Sequence, residues 1–103
     1  MTEPKTDEIY QMRAEIASAM AHPARLKMID AMAREEMCVG DLAELVDLAV
    51  PTVSRHLKTM KAAGIVATRR DGNRIYHFLQ VPCILEIFNC IDNVLRADDE
   101  RMS

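Results

Sequence analysis

Ile9, Met12, Ile16 and Met20 recur at helical spacing, so the stretch 7–20 is predicted to form one amphipathic helix. His22-Pro23 breaks it. Proline suits the first turn of the next helix, because its missing N–H would be unpaired there in any case. Leu26, Ile29 and Met32/Ala33 carry a second apolar stripe to about residue 35. A third, short helix is predicted near 39–47, with Val39, Leu42, Leu45 and Val46 inward. Asp47-Leu48-Ala49 then turns into Val50-Pro51, another proline at a helix start. A fourth helix over about 51–63 places Val53, Leu57 and Met60 on its buried side. Gly64 follows where a left-handed residue ends a helix.

The period then changes. Residues 65–70 and 74–79 are runs rich in β-branched and aromatic side chains around Asp71-Gly72-Asn73, the pattern of a β-hairpin. After Pro82 the helical period returns, with Ile84, Ile87, Phe88, Ile91 and Leu95 in one stripe to about residue 97. The tail DDERMS is expected to be polar and frayed. The expected fold is mainly α with a small β-hairpin: a winged helix-turn-helix of five helices in one DNA-binding domain over 1–103. The helix-turn-helix spans about 39–64, the wing about 65–80, and a dimerisation and sensor helix about 82–97. The first and last helices are too apolar on one face to remain exposed. A second copy of the chain in a C2 dimer is the simplest cover.

Composition agrees with a packed helical protein. The chain has 103 residues, half of them hydrophobic and 28% charged, with eight Met, no Trp and only three Gly. No apolar run reaches the ~18 residues of a membrane helix, and MTEPKTDEIYQMR lacks the apolar stretch of a secretory signal. A cytoplasmic protein with no membrane partner is expected. Net charge is −3, but its distribution is uneven: residues 52–77 carry +5, while the three flanking blocks carry −2, −3 and −3. A basic block in an acidic chain is the footprint of a surface that faces phosphates, although charge alone fits a solvated face equally well.

The stretch VPTVSRHLKTMKAAGIV decides between these readings. With Val53, Leu57 and Met60 inward, Thr52, Ser54, Arg55 and Lys58 point outward from the half of the helix that enters a major groove. Ser and Thr bond phosphates or bases, and Arg can fork onto guanine. His56 either donates to a phosphate or packs beside Leu57, and Lys61 is either solvated or a phosphate contact without sequence content.

AHPARLKMIDAMA (21–33), MCVGDLAELV (37–46), VPTVSRHLKTMKAAGIV (50–66) and the wing RRDGNRIYHFL (69–79) together resemble the ArsR/SmtB-type winged-helix repressors, small dimeric sensors of metals and thiol chemistry. The resemblance implies that the fourth helix reads double-stranded operator DNA while the wing grips the adjacent backbone and minor groove. Ser54, Arg55 and His56 fall on the family's DNA-contact positions, as do Arg70 and Arg74 in the wing, with Arg69 beside them. Many members have Ser-Gln just before the proline, where this chain has Ala49-Val50. Ala offers no capping oxygen and Val cannot bond a base.

Three cysteines cannot all pair within one chain. Cys38 lies at the start of the third helix, and Gly40 stands where family metal sensors often carry a second Cys. Cys83 and Cys90 lie near the other end, about 10.5 Å apart along a helix axis. That is too far to chelate one ion without Cys38, a partner chain or a bend at Pro82. Each could also be a small core hydrophobe. Cys38 and Cys83 stand at helix N-termini, where the dipole stabilises negative charge, and three thiols suit As(III), Cd(II) or Pb(II). No His follows His77, so the nitrogen ligands of family zinc sensors are missing from the last helix.

The expected function is therefore a homodimeric, cytoplasmic DNA-binding repressor released when Cys38, Cys83 and Cys90 take a thiophilic inducer ion. A thiol-redox or persulfide response to reactive sulfur species is the alternative, and a non-sensing architectural DNA binder is the alternative from another class. No nucleophile site or phosphate loop supports an enzyme, and no obligatory cofactor is implied.

Overall fold

A computed structural model describes residues 6–102; the expectations for the first five residues and for Ser103 fall outside it. The elements follow the predicted order: α1 (Asp7–Met20), α2 (Pro23–Arg34), α3 (Val39–Val46), α4 (Val50–Ala62), β1 (Val66–Asp71), β2 (Arg74–Leu79) and α5 (Ile84–Met102). This is a winged helix-turn-helix. Thr6 caps α1 by accepting the Ile9 N–H at 3.4 Å, and the Nδ1 of His22 caps α2 by accepting the Ala24 N–H at 3.1 Å. Asp47 ends α3 in the left-handed region at φ 54, which short polar side chains tolerate.

The last helix differs from expectation at both ends. Val81, Pro82 and Cys83 form a turn whose carbonyls accept from Ile84, Leu85 and Glu86, so α5 starts at Ile84 and Cys83 stands just outside it. The tail expected to fray instead continues the helix through Met102. No Gly or Pro follows Pro82 to stop it.

The hairpin pairs Val66 with Leu79 through Asp71 with Arg74 in antiparallel register. Gly72 takes the positive φ of 64 at its tip. A bridge that no periodicity announces joins Met37 to His77: each N–H donates to the other's carbonyl, at 3.0 and 2.7 Å. It ties the wing to the segment that leads into α3.

Met28 and Ile29 of α2, Leu42 of α3, Val53 and Met60 of α4, and Ile65 and Val66 are almost fully shielded from solvent. The core is therefore the three helices α2–α4 closed by the hairpin. The end helices contribute little to it, Ala19 from α1 and Ile84 from α5. Ile9, Met12 and Ile16 remain exposed on α1, as do Ile87, Ile91, Val94 and Leu95 on α5. The radius of gyration is 15.9 Å, well above the ~13 Å of a compact chain of this length. α1 and α5 stand out from the core with apolar faces uncovered. Among the described residues, no helix is long and apolar enough to cross a membrane.

Gly64 allows a clean test of the turn into the wing. It holds φ +82, and a Cβ added there would meet nothing within 4 Å. Gly64→Ala should therefore cost only the backbone penalty of a left-handed L-residue, about 1–2 kcal/mol, read as a lower denaturant midpoint with unchanged slope. A loss well beyond that range would mean the turn itself had rearranged.

Candidate nucleic-acid interface

α4 buries Val53, Leu57 and Met60, a spacing of four and three residues that fixes the opposite side outward. Ser54, Arg55 and Lys58 are exposed, and Thr52 is half-buried. Arg55 Nη2 donates to Thr52 Oγ1 at 3.5 Å, and Thr59 Oγ1 donates to the Arg55 carbonyl at 3.1 Å. The first turn of α4 holds no acidic residue, and Ala49 gives no side-chain cap. The helix start therefore keeps its partial positive charge for an anion.

Between the start of α3, the outer side of α4 and the wing runs a groove of about 690 Å³. Ser54, Lys58 and Lys61 line one wall and Arg74 the other, with Asp41 the one acid among its lining residues. Lys61 Nζ donates to Thr68 Oγ1 at 3.2 Å, which fastens the end of α4 to β1.

Cross-strand pairing sorts the wing cations. Thr68, Ile75 and His77 line the groove, and Arg70 pairs with Ile75, so it shares that side of the ribbon. Arg69 pairs with Tyr76 on the other side. Its guanidinium lies 4.6 Å from the Tyr76 ring centroid and forms an ion pair with Glu36. That hydrogen bond holds the Arg69 pKa above its ordinary value. Arg69, exposed like Arg70 and Arg74, thus anchors the wing to the segment before α3.

His56 also differs from the exposed Ser54, Arg55 and Lys58. It is half-buried, and its Nδ1 accepts from Arg25 Nε at 2.9 Å. The His22 ring lies 4.6 Å away, centroid to centroid. Burial lowers the His56 pKa, and the charges of Arg25, His22 and Arg55 lower it further. His77 is lowered by burial, opposed by its hydrogen bond to the Met37 carbonyl and reinforced by Lys61. Sequence reasoning missed Arg25 and Glu36, because neither stands in a periodic stripe or a charge cluster.

The thiols are free and lie apart. Cys38 is half-buried at the N-cap of α3, in the wall of the groove. Cys83 and Cys90 are exposed. Among the described residues no three His, Cys, Asp or Glu side chains come together to hold a metal ion. The expected set of Cys38, Cys83 and Cys90 therefore does not assemble within one protomer.

A sequence profile described as "Bacterial regulatory protein, arsR family" matches residues 22–68. The chain is 35% identical over 97 residues to the nodulation protein NolR of Rhizobium meliloti, covering 94% of this chain and 80% of that one. It is 33% identical over 93 residues to a transcriptional repressor SmtB homolog of Synechocystis, covering 90% and 70%. The crystal structure of NolR from Sinorhizobium fredii superposes with a TM-score of 0.78 at 33% identity, over 90% of this chain and 96% of that one.

Proposed function

Because this chain belongs to the ArsR family of DNA-binding transcriptional repressors, we propose that it works as a homodimer that reads a two-fold operator with α4 and is released by chemistry at its cysteine thiols. It is a regulator and not an enzyme. The observation that carries the DNA reading is the exposed row Ser54, Arg55 and Lys58 on α4, of which Ser54 and Lys58 share one groove with Arg74 of the wing. Thr52 supports Arg55 at the helix start, and Arg70 adds charge on the face of the hairpin that carries Thr68, Ile75 and His77. Base edges meet the first turns of α4, and phosphates meet Lys58 and the wing.

Two copies supply the symmetry. Ile87, Cys90, Ile91 and Val94 follow one another at helical spacing on α5, and α1 adds a second exposed apolar face. Pairing these faces places two recognition helices on half-sites about one helical turn apart, ~34–36 Å. Selection of bound duplexes from a random pool, followed by footprinting, tests this reading. An inverted repeat protected with that spacing is expected. Enrichment of no sequence, or a footprint without two-fold symmetry, would overturn it.

Release is assigned to the thiols because Cys90 lies in the α5 stripe and Cys83 at its entry. An event at either changes how two protomers meet, and with it the angle between their α4 helices. As(III), Cd(II) or Pb(II) needs converging sulfurs, which one protomer does not supply, so such an ion would be shared between protomers. A reactive sulfur species needs only accessible thiols, and Cys83 and Cys90 are both exposed. Cys83→Ser and Cys90→Ser should each reduce the release of DNA by arsenite, cadmium or polysulfide, whereas Cys38→Ser should have the smaller effect. Coupling of this kind changes DNA affinity by about 5–150-fold. Three single variants that respond to every inducer as the parent does would make the cysteines structural and the protein a repressor that senses nothing through them.

A further inference from the structure

Arg25 links three helices. It belongs to α2, its Nη1 donates to the Ala19 carbonyl of α1 at 3.3 Å, and its Nε donates to His56 Nδ1 of α4 at 2.9 Å. Ala19 lies in the last turn of α1, where carbonyls have no partner within the helix, and that turn contains no basic residue of its own. The guanidinium therefore satisfies an orphan acceptor and complements the helix dipole there. Its other arm reaches the residue next to Arg55 on the DNA-reading helix.

We infer that Arg25 is a positioning residue for operator recognition: it fixes the orientation of α4 against α1 by using His56 as a hydrogen-bond acceptor. The inference rests on the reading of α4 as the DNA-reading helix and gives His56 a role other than phosphate contact. α1 carries one of the two apolar faces assigned to the dimer, so the link runs from the dimer element to the recognition element through one guanidinium.

The hydrogen bond sets a requirement on charge. Arg25 Nε is a donor only, so His56 must present a bare Nδ1 lone pair. Protonated His56 would turn an N–H toward an N–H and place two cations together. The groups that face His56 all favour its neutral form: burial, Arg25 from α2, His22 at the α2 cap and Arg55 on its own helix. On the α1 side, Glu15 lines the cleft it shares with Arg25 and Thr59, and there it accepts from Gln11 at 3.4 Å. The pKa of His56 lies below its ordinary value of 6.5, so the tether is intact at neutral pH and is lost as pH falls through that lowered value.

Two substitutions at His56 separate positioning from direct contact. Asn places an acceptor near the Nδ1 position, while Gln reaches toward the Nε2 position. At pH 7.5, His56→Ala and Arg25→Ala should each weaken operator binding about tenfold, the scale of one hydrogen bond to a charged donor. The double variant should be no weaker than either single one, because both remove the same link. His56→Asn should restore binding and His56→Gln should not. As pH is lowered from 7.5 through the depressed His56 pKa, the parent should lose affinity that His56→Asn retains. Arg25→Ala should leave the slope of log affinity against log salt unchanged, since a lost phosphate contact would reduce it by about 1.

Restoration by Gln rather than Asn, additive single effects, or a reduced salt slope for Arg25→Ala would each overturn the positioning role. Those results would leave the recognition surface itself intact. Failure of that surface would instead show as a parent protein with no selected operator. Circular dichroism and sedimentation of each variant establish that a folded dimer is being compared.

Discussion

Ile91→Glu is expected to give a folded monomer that has lost tight operator binding. Ile91 is 48% exposed, and Val94 and Leu95 beside it are 59% and 57% exposed. Among the described residues nothing covers an apolar row of this length on one helix. Burial of such side chains against a second copy is worth about 25 cal/mol per Å², and a carboxylate in the middle of the row would be desolvated without a partner. The fold should survive, because α5 gives the core only Ile84, with Leu85 and Phe88 packed against its edge.

The cost in DNA binding exceeds that of any single contact. Linking two half-site readers raises affinity by about 10²–10⁴-fold through effective concentration alone, and a monomer forfeits that factor while each α4 remains intact. Val94→Glu should do the same from the next turn of the stripe. Sedimentation at micromolar concentration and anisotropy on a two-half-site duplex read both steps. A parent that sediments as a monomer, or an Ile91→Glu variant that remains a dimer, would remove the second copy from this account.

Periodicity made the central helices legible, since α2, α3 and α4 each bury one face and burial repeats every three to four residues. Val53, Leu57 and Met60 are inward as their spacing requires. The same signal marks α1 and α5 but does not say what covers them: an apolar stripe looks alike whether it faces its own core or another chain. Three features left no trace in the pattern. A single-residue bridge such as Met37 to His77 has no period. Arg25 reaches His56 across 31 residues of sequence, and Arg69 reaches Glu36 across 33, so neither pair is a local motif. α5 runs past the expected residue 97: polarity suggests fraying, whereas termination needs a breaker, and none follows Pro82. The basic block is one charge cluster in the sequence, and only strand register divides it into Arg69 on one side of the ribbon and Arg70 on the other.

The contacts of each side chain lead to different outcomes for three arginines changed to alanine. Arg55 is exposed in the second turn of α4 and steadied by Thr52. Its loss should weaken operator binding and relax preference at one base pair of each half-site, since a forked contact to guanine carries about 1–3 kcal/mol of discrimination. Arg74 stands at the wing tip beside the groove, so its loss should weaken all duplexes nearly equally and reduce the salt slope by about 1 per protomer. Arg69 is held by Glu36 and by the Tyr76 ring, so Arg69→Ala should leave the salt slope near the parent value. Its effect should fall on the wing, read as faster amide exchange along β1 and β2. Binding measured over a salt series, on the operator and on a scrambled duplex, separates the three. If Arg55→Ala and Arg74→Ala bind both duplexes as the parent does across the series, the groove between α4 and the wing is not where this protein meets DNA.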